Sequence, residues 1–336
     1  MNRGGMLGAG TWLVDHIKVI DEWPQQDTLC TILSSRPANG GLPYNVLKDL
    51  SKMELPAPLE AAGLIGDDAD GKYILDDCRA HNIAPLFEIS RECGTSFTDV
   101  ITVQSTGRRT FFHSPAGNNA LEPRHIPLEK SAAKIFLEGY FGLHEKMDAL
   151  DAGGMSGHAK IFKRAKELGF ITVADAVSRK ADFCALTRSA LPHIDYMSLN
   201  EIELKMVAGG DALDCPDIKR ESSLKKYAAQ VLERGVGKYL IVHFPECVYA
   251  FAQGGGFCRQ PSVSLPRGEI KGAVGAGDAL LAGIIFGIHE NWDMPECLKL
   301  GSCAAAKCLG DVSSSDGMES WRECMKLESL YGYGEY

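Results

Sequence analysis

The second half of the chain alternates short apolar runs with longer segments of helical periodicity, and this alternation constrains the fold most. The predicted strands are 135–137, 171–174, 196–199 and 239–243, and the predicted helices are 158–168, 200–207 and 224–234. This order is typical of a mostly parallel sheet that helices cover on both faces. We therefore expect an α/β fold of this kind.

The first half of the chain follows the alternation less regularly. It predicts strands over 6–14 and 61–65 and helices over 43–53 and 72–81. Two other segments, 17–35 and 85–112, have the character of exposed strands. We predict that they meet in a small β-strand lid. This lid comprises about residues 15–38 and 90–114 and is inserted into a single α/β domain of residues 1–336.

Charge and apolar patterning exclude several classes of protein. The chain has 35 Lys and Arg against 44 Asp and Glu, a net charge of −9, whereas nucleic-acid binders usually present a basic face. The longest strongly apolar run, 279–288, is too short to span a bilayer. The eleven cysteines form no CxxC pair, which favours reduced thiols. We expect a cytoplasmic protein with no nucleic-acid or membrane partner.

The glycine-rich segment 272–278 carries the clearest chemical signal, because an apolar helical run follows it directly. Gly275 and Gly277 permit a tight turn and a close approach of the backbone to a ligand. The amides of this turn would then lie at a helix N-terminus, where an anion binds favourably. Asp278 among them could accept a proton from a hydroxyl. The alternative is that Asp278 is only an N-cap residue after a turn.

Two more segments could contact ligands. In segment 39–45, Gly41 would admit a small polar ligand, and Asn45 offers both a donor and an acceptor. Asn200 and Glu203 lie one helical turn apart and could hold a water-coordinated Mg²⁺. Each also has a simpler interpretation, an ordinary loop with a helical Asn in the first case and an N-cap with an acidic first turn in the second.

Taken together, these motifs resemble those of the ribokinase-like, PfkB-type carbohydrate kinases. The glycine pair and Asn of the first family signature match residues 40–45, and the Gly-(Leu/Ile)-(Ile/Val)-Gly-Asp-Asp-x-x-Gly stretch matches residues 63–71. The Asn-x-x-Glu motif matches residues 200–203, and the Gly-Ala-Gly-Asp signature matches residues 275–278. The motifs occur in family order and extend over nearly the whole chain.

The resemblance implies an ATP-dependent kinase that phosphorylates a hydroxyl of a small sugar with the help of Mg²⁺. Asp278 would be the catalytic base, and the anion hole would be Gly275, Ala276 and Gly277. The implied acceptor contacts are Asp15, Gly41, Asn45 and Asn118. Asn200, Glu203 and Arg179 would bind the cofactors, with Glu203 holding the metal through water, and Asp175 occupies the place of a family Asp. The resemblance also implies a homodimer formed through the lid.

Two departures from the family pattern bear on the ligands. Residues 272–274 replace the usual Asp-Thr-Thr, which argues against a bound monovalent cation. Residues 243–247 replace a glycine-rich stretch where the ATP phosphates would pass. Two alternatives stay open: a nucleoside kinase of the same fold, whose acceptor pocket would have apolar walls, and a catalytically impaired relative that binds a sugar or nucleotide as a sensor.

Overall fold

A nine-stranded sheet forms the centre of the molecule in the computed structural model, which describes residues 3–178, 182–210 and 218–335. The strands of the chain are β1 (Met6–Gly10), β2 (Leu13–Ile20), β3 (Ile32–Gly40), β4 (Leu59–Ala62), β5 (Leu64–Gly66), β6 (Ile83–Pro85), β7 (Glu88–Ser90), β8 (Ser96–Val103), β9 (Arg109–Ser114), β10 (Ile135–Phe141), β11 (Ile171–Ala176), β12 (Tyr196–Asn200), β13 (Tyr239–His243), β14 (Cys247–Ala252) and β15 (Phe257–Pro261). The central sheet has the order β15-β14-β13-β12-β11-β10-β1-β4-β6. Its pairs from β13 to β6 are parallel, and β14 and β15 add an antiparallel edge.

Helices cover both faces of this sheet. They are α1 (Leu42–Lys52), α2 (Ala69–Ala80), α3 (Ala116–Ala120), α4 (Glu145–Asp148), α5 (Gly157–Glu167), α6 (Phe183–Arg188), α7 (Glu201–Val207), α8 (Glu221–Leu232), α9 (Ala276–His289), α10 (Met294–Leu309) and α11 (Trp321–Tyr331). Successive strand residues point to opposite faces. Met6 therefore joins the core under α1, α9 and α10, whereas Leu7 joins the core under α5 and α8.

A separate four-stranded sheet, which we call the lid sheet, has the order β3-β2-β8-β9. Strand β2 pairs antiparallel with β3 and parallel with β8, and β9 returns antiparallel to β8. The two segments that depart from the strand–helix alternation thus lie in one sheet, as expected. Its insertion into a single domain stays a prediction.

The strand predicted over 6–14 is wrong in one respect, because it is two strands in two sheets. Strand β1 ends at Gly10, whose φ is +112° and whose backbone lies so close to Gly139 that a β carbon would be 2.0 Å from the Gly139 carbonyl oxygen. A glycine meets both requirements without strain. The chain turns there and begins β2 of the lid sheet at Leu13. The strand predicted over 61–65 divides in the same way, into β4 and β5.

In the described ranges, no helix is both long and apolar enough to cross a membrane. The ten cysteines in those ranges are all free thiols, and six of them are buried. Cys215 lies outside the described residues.

Candidate active site

The first turn of α9 positions the predicted base. Gly275 is the residue before the helix and has a left-handed conformation with φ +79°, and a β carbon there would lie 2.6 Å from Ser314 Cβ. Only glycine fits that combination of backbone angle and contact. Helix α9 then begins at Ala276, so the amides of Ala276, Gly277 and Asp278 belong to the first turn, where helical geometry provides no intrahelical acceptor.

The carboxylate of Asp278 is buried and accepts two side-chain hydrogen bonds. Asn45 Nδ2 donates to one carboxylate oxygen at 2.7 Å, and the Tyr140 hydroxyl donates to the other at 2.7 Å. Burial raises the pKa of Asp278 to about 6, while these two donors act in the opposite direction because they stabilise the ionised form. The group is therefore a base poised close to neutral pH.

A buried polar network holds Asn45 in place. Asn39 Nδ2 donates to Asn45 Oδ1 at 2.7 Å, and Ser314 Oγ donates to the same oxygen at 3.2 Å. Lys48 Nζ donates to Asn39 Oδ1 at 3.1 Å and forms an ion pair with Asp77 at 3.2 Å. Because each member is fixed by another, the amide of Asn45 keeps its donor group directed at Asp278.

A first cavity of about 370 Å³ lies between the lid sheet and the segments that precede α9 and follow α10. Asp15 lies at this cavity, and burial raises its pKa to about 7, with the neighbouring His16 and Arg109 charges lowering it and Asp278 raising it. Apolar side chains form much of the wall: Ile17, Val19, Ala38, Val100, Phe111, Val274 and Val312. The polar lining includes Asn39, Arg36, Arg109 and Ser314.

A second cavity of about 650 Å³ lies on the other side of the turn before α9. Ala276 and Gly277 line it, whereas Val274 lines the first cavity. The residues just before and at the start of α9 therefore lie between the two cavities, and Asp278 follows them in the same first turn without lining either cavity. His243 also lines the second cavity, close to Gly277, and burial lowers its pKa to about 4. The imidazole is accordingly neutral.

Two more buried carboxyl groups interact electrostatically with Asp278. Burial, together with the charges of Glu203 and Asp278, raises the pKa of Asp175 well above its ordinary value. Burial also raises the pKa of Glu203 to about 7. Glu203 and Asn200 form a capping box at the start of α7, in which Glu203 Oε2 accepts from Asn200 N at 2.8 Å and Asn200 Oδ1 accepts from Glu203 N at 2.9 Å. Glu203 therefore both caps α7 and belongs to the group of buried acids around Asp278.

Comparison with known proteins identifies the family. The model of the pfkB family of carbohydrate kinases matches residues 16–321. The chain belongs to this family. It is similar to 5-dehydro-2-deoxygluconokinase of Clostridium perfringens, with 23% identity over 88% of this chain and 86% of that protein, and to adenosine kinase 2 of Arabidopsis thaliana, with 21% identity over 90% and 92%.

The fold comparison agrees with this assignment. The structure of Arabidopsis thaliana ribokinase complexed with ribose and ATP superposes with a TM-score of 0.77 at 20% identity, over 97% of this chain and 99% of that one. The expected ribokinase-like fold, with its mostly parallel sheet and helices on both faces, is confirmed.

Three of the predicted acceptor contacts have close neighbours within the protein. Gly41 lies against the Thr11 carbonyl, since a β carbon would be 2.1 Å from its oxygen, and Asn45 acts on Asp278. Asn118 is buried and accepts a hydrogen bond from Trp12 N at 3.2 Å. Its Nδ2 is buried and has no hydrogen-bond partner, and its contact with an acceptor stays a prediction. Arg179 lies outside the described residues.

Several residues at the site were not predicted from the sequence. Tyr140 lies near the carboxyl end of β10, and ligand-binding groups of parallel sheets collect at that edge, so its position in the predicted strand was an available signal. Asn39, Arg109 and Ser314 reach the first cavity from three distant parts of the chain. Asn39 begins the segment 39–45 that the sequence singles out, whereas no local pattern marks Arg109 or Ser314.

Proposed function

We propose that this protein is an ATP-dependent kinase that transfers the γ-phosphoryl group of ATP to a hydroxyl of a small sugar. The observation that carries the proposal is the position of Asp278. It is a buried carboxylate with a pKa near 6, in the first turn of a helix whose N-terminal segment separates two cavities. A base and an anion-binding helix terminus are the two elements that phosphoryl transfer to an alcohol requires.

In this mechanism the acceptor occupies the first cavity and ATP the second. Asp15 accepts a hydrogen bond from an acceptor hydroxyl, which offsets the cost of burying its charge. Asp278 takes the proton of the reacting hydroxyl, whose oxygen then bonds to the γ-phosphorus. The bond between that phosphorus and the bridging oxygen of ATP breaks, and ADP leaves with the electron pair.

The first-turn amides of α9 stabilise the charge that moves during this step. The partial positive charge of a helix N-terminus and its free N–H groups favour a phosphate. Gly277 lines the second cavity, so its amide lies on the nucleotide side. The neutral His243 near Gly277 adds a polar ring beside the phosphate path without adding charge.

The acidic residues around Asp278 fit a divalent cation. Asp175 and Glu203 are buried, and their mutual repulsion contributes to the raised pKa of Asp175. Glu203, through water, and Asp175 would hold Mg²⁺ near Asn200. When bound, Mg²⁺ neutralises phosphate charge during the transfer.

Replacing Asp278 by Asn tests the proposal. Asp278→Asn removes the base but keeps a polar group of the same size, so we expect kcat to fall by about 10²–10⁴-fold or more while calorimetry shows retained binding of sugar and ATP. The matched control is Asp293→Asn at the N-cap of α10, where Asn and Asp cap equally well. Full activity of Asp278→Asn would refute the assigned role.

A nucleoside kinase is the second candidate, and the apolar wall of the first cavity favours it. Val100, Phe111 and Val312 would pack against a base. ADP release measured with a panel of sugars and nucleosides separates the two acceptor classes. If ATP with Mg²⁺ gives no heat of binding, the third possibility, a catalytically impaired sensor, would replace both.

We also propose a homodimer that forms through the lid sheet, and a cytoplasmic location where ATP is supplied. Ile32 of β3 and Phe111 of β9 are 55% and 56% exposed, and Leu29 in the connecting loop is 96% exposed. Exposed large apolar side chains on the lid sheet favour an interface. A second lid sheet placed there would also cover the first cavity, because Phe111 lines it.

A further inference from the structure

A second cluster of reactive side chains lies in the interior, in neither of the two cavities. It consists of Glu138 on β10, His144 in the turn after that strand, and His158 on α5, and all three side chains are fully buried. One carboxylate oxygen and one ring nitrogen from each histidine lie within 4.8 Å of one another. Ligand atoms around a metal with bonds of 2.0–2.2 Å are roughly 3–4 Å apart, so small shifts would bring these atoms to that spacing.

His158 is oriented by a carboxylate on the side away from the cluster. Its Nε2 lies 3.1 Å from Asp148 Oδ1, and its Nδ1 lies 2.7 Å from Glu138 Oε2. Asp148 is itself fixed, because it accepts hydrogen bonds from Gly142 N and His144 N. A carboxylate on the outer nitrogen of a histidine is the usual partner of a histidine that binds a metal.

His144 is oriented in a similar way, with a hydroxyl group in place of the carboxylate. Its Nε2 lies 3.0 Å from Thr11 Oγ1, whereas its Nδ1 is buried and has no hydrogen-bond partner. In the tautomer whose Nε2–H donates to Thr11, the Nδ1 lone pair is free. A buried ring nitrogen without a partner costs free energy unless something binds to it.

We propose that Glu138, His144 and His158 form a buried site for one divalent transition-metal ion of the zinc class. Two imidazole nitrogens and one carboxylate are a recurrent ligand set for Zn²⁺ and Fe²⁺. Nδ1 of each histidine and a Glu138 oxygen are the ligand atoms, and Asp148 and Thr11 hold the outer nitrogens. Binding replaces the proton that His158 Nδ1 shares with Glu138, and this proton is released to solvent.

The site is connected to the kinase centre through the backbone, although its existence does not depend on the proposed function. Tyr140 N donates to Thr11 Oγ1 at 3.1 Å, and the Tyr140 hydroxyl donates to Asp278. A metal bound to Glu138, two residues earlier on β10, would therefore fix the strand end that carries Tyr140. Its role would be to position Tyr140 rather than to contact a substrate.

Metal content after expression in minimal medium with Zn²⁺ or Co²⁺ tests this proposal. Because the site is buried, the ion has to enter during folding, and dialysis against a chelator then removes surface metal. We expect one equivalent of metal by elemental analysis, and a visible d–d absorption spectrum for the Co²⁺ protein. We expect His144→Ala to lose the ion, and Asp148→Asn to weaken its binding by about 10–100-fold.

Two control variants separate this site from other binding. His193→Gln changes a histidine outside the cluster, and Glu203→Gln removes an acid from the kinase centre, so both should keep the full equivalent. Absence of metal from the wild-type protein, or retention of the equivalent in His144→Ala, would overturn the proposal. If His144→Ala does not fold, the Co²⁺ spectrum of the wild-type protein decides, because nitrogen and oxygen ligands give visible d–d bands without the near-ultraviolet charge-transfer band that cysteine thiolates add.

Discussion

The ionisation of Asp278 sets the pH range in which the proposed base works. Only the carboxylate accepts a proton, and its pKa of about 6 lies above that of an ordinary Asp. We therefore expect kcat/KM to rise with pH through about 6, to rise further through about 7 as Asp15 and Glu203 ionise, and to become constant above about pH 8. A rate that is independent of pH between 5 and 8 would contradict this assignment.

The Tyr140 hydroxyl also influences the pKa of the proposed base. Tyr140→Phe deletes a hydrogen bond to the ionised form of Asp278, so the pKa of Asp278 should rise. A hydrogen bond to a charged group contributes about 1.5–3 kcal/mol, which corresponds to a shift of about one pH unit or more. The acid limb of the pH–rate profile should move upward by that amount, measured with the acceptor identified by the ADP-release panel.

Tyr44→Phe is the control for this shift. The Tyr44 hydroxyl donates to a different carboxylate, Asp77, at 2.7 Å. Its removal should leave the acid limb where it is in the wild-type enzyme. Equal shifts in both variants would mean that Tyr140 acts through general stability and not through Asp278.

The turn before α9 should affect both the stability of the protein and the rate of the reaction. Gly275→Ala forces a β carbon into the left-handed region and to within 2.6 Å of Ser314 Cβ. Strain and overpacking together should lower the free energy of unfolding by about 2–4 kcal/mol. Displacement of the first-turn amides should also lower kcat by about 10²-fold.

Two glycines in the turn between β14 and β15 serve as controls that separate backbone strain from overpacking. Gly255 has φ +92° and open space around its α carbon, so Gly255→Ala should cost about 1 kcal/mol from backbone strain alone. Gly254 has neither constraint, and Gly254→Ala should be close to neutral. Denaturant unfolding and steady-state kinetics of the three variants test this order, and a Gly275→Ala protein as stable and active as Gly254→Ala would disprove the argument.

The elements of the site differ in how far the sequence predicts them. Helix α9 and its glycine turn could be predicted, because an apolar run of helical length follows directly after Asp278. The break of the first strand at Gly10 could not, since it depends on how close Gly139 comes from a distant strand. The contact between Asn39 and Ser314 joins residues 275 positions apart, and local periodicity contains no information on such a pairing.

The protein as a whole is acidic, and it is proposed to bind an anionic nucleotide. The net charge of −9 would repel ATP at long range, but salt screens such fields within about 10 Å. In the proposed mechanism, binding then depends on local groups: the first-turn amides of α9 and a cation that Asp175 and Glu203 would hold. Burial raises the pKa of both acids, so a bound cation would stabilise their ionised forms.

Association of two copies through the lid sheet is the prediction that concerns the whole molecule. Ile32 is 55% exposed on β3 and does not line the first cavity. Ile32→Asp would place a charge in the proposed interface, where its desolvation is costly, so sedimentation velocity should show a dimer for the wild-type protein and a monomer for this variant. Leu330→Asp changes a 68% exposed apolar residue on α11, away from the lid sheet, and should leave the dimer intact. A monomeric wild-type protein, or equal dissociation of both variants, would rule out this interface.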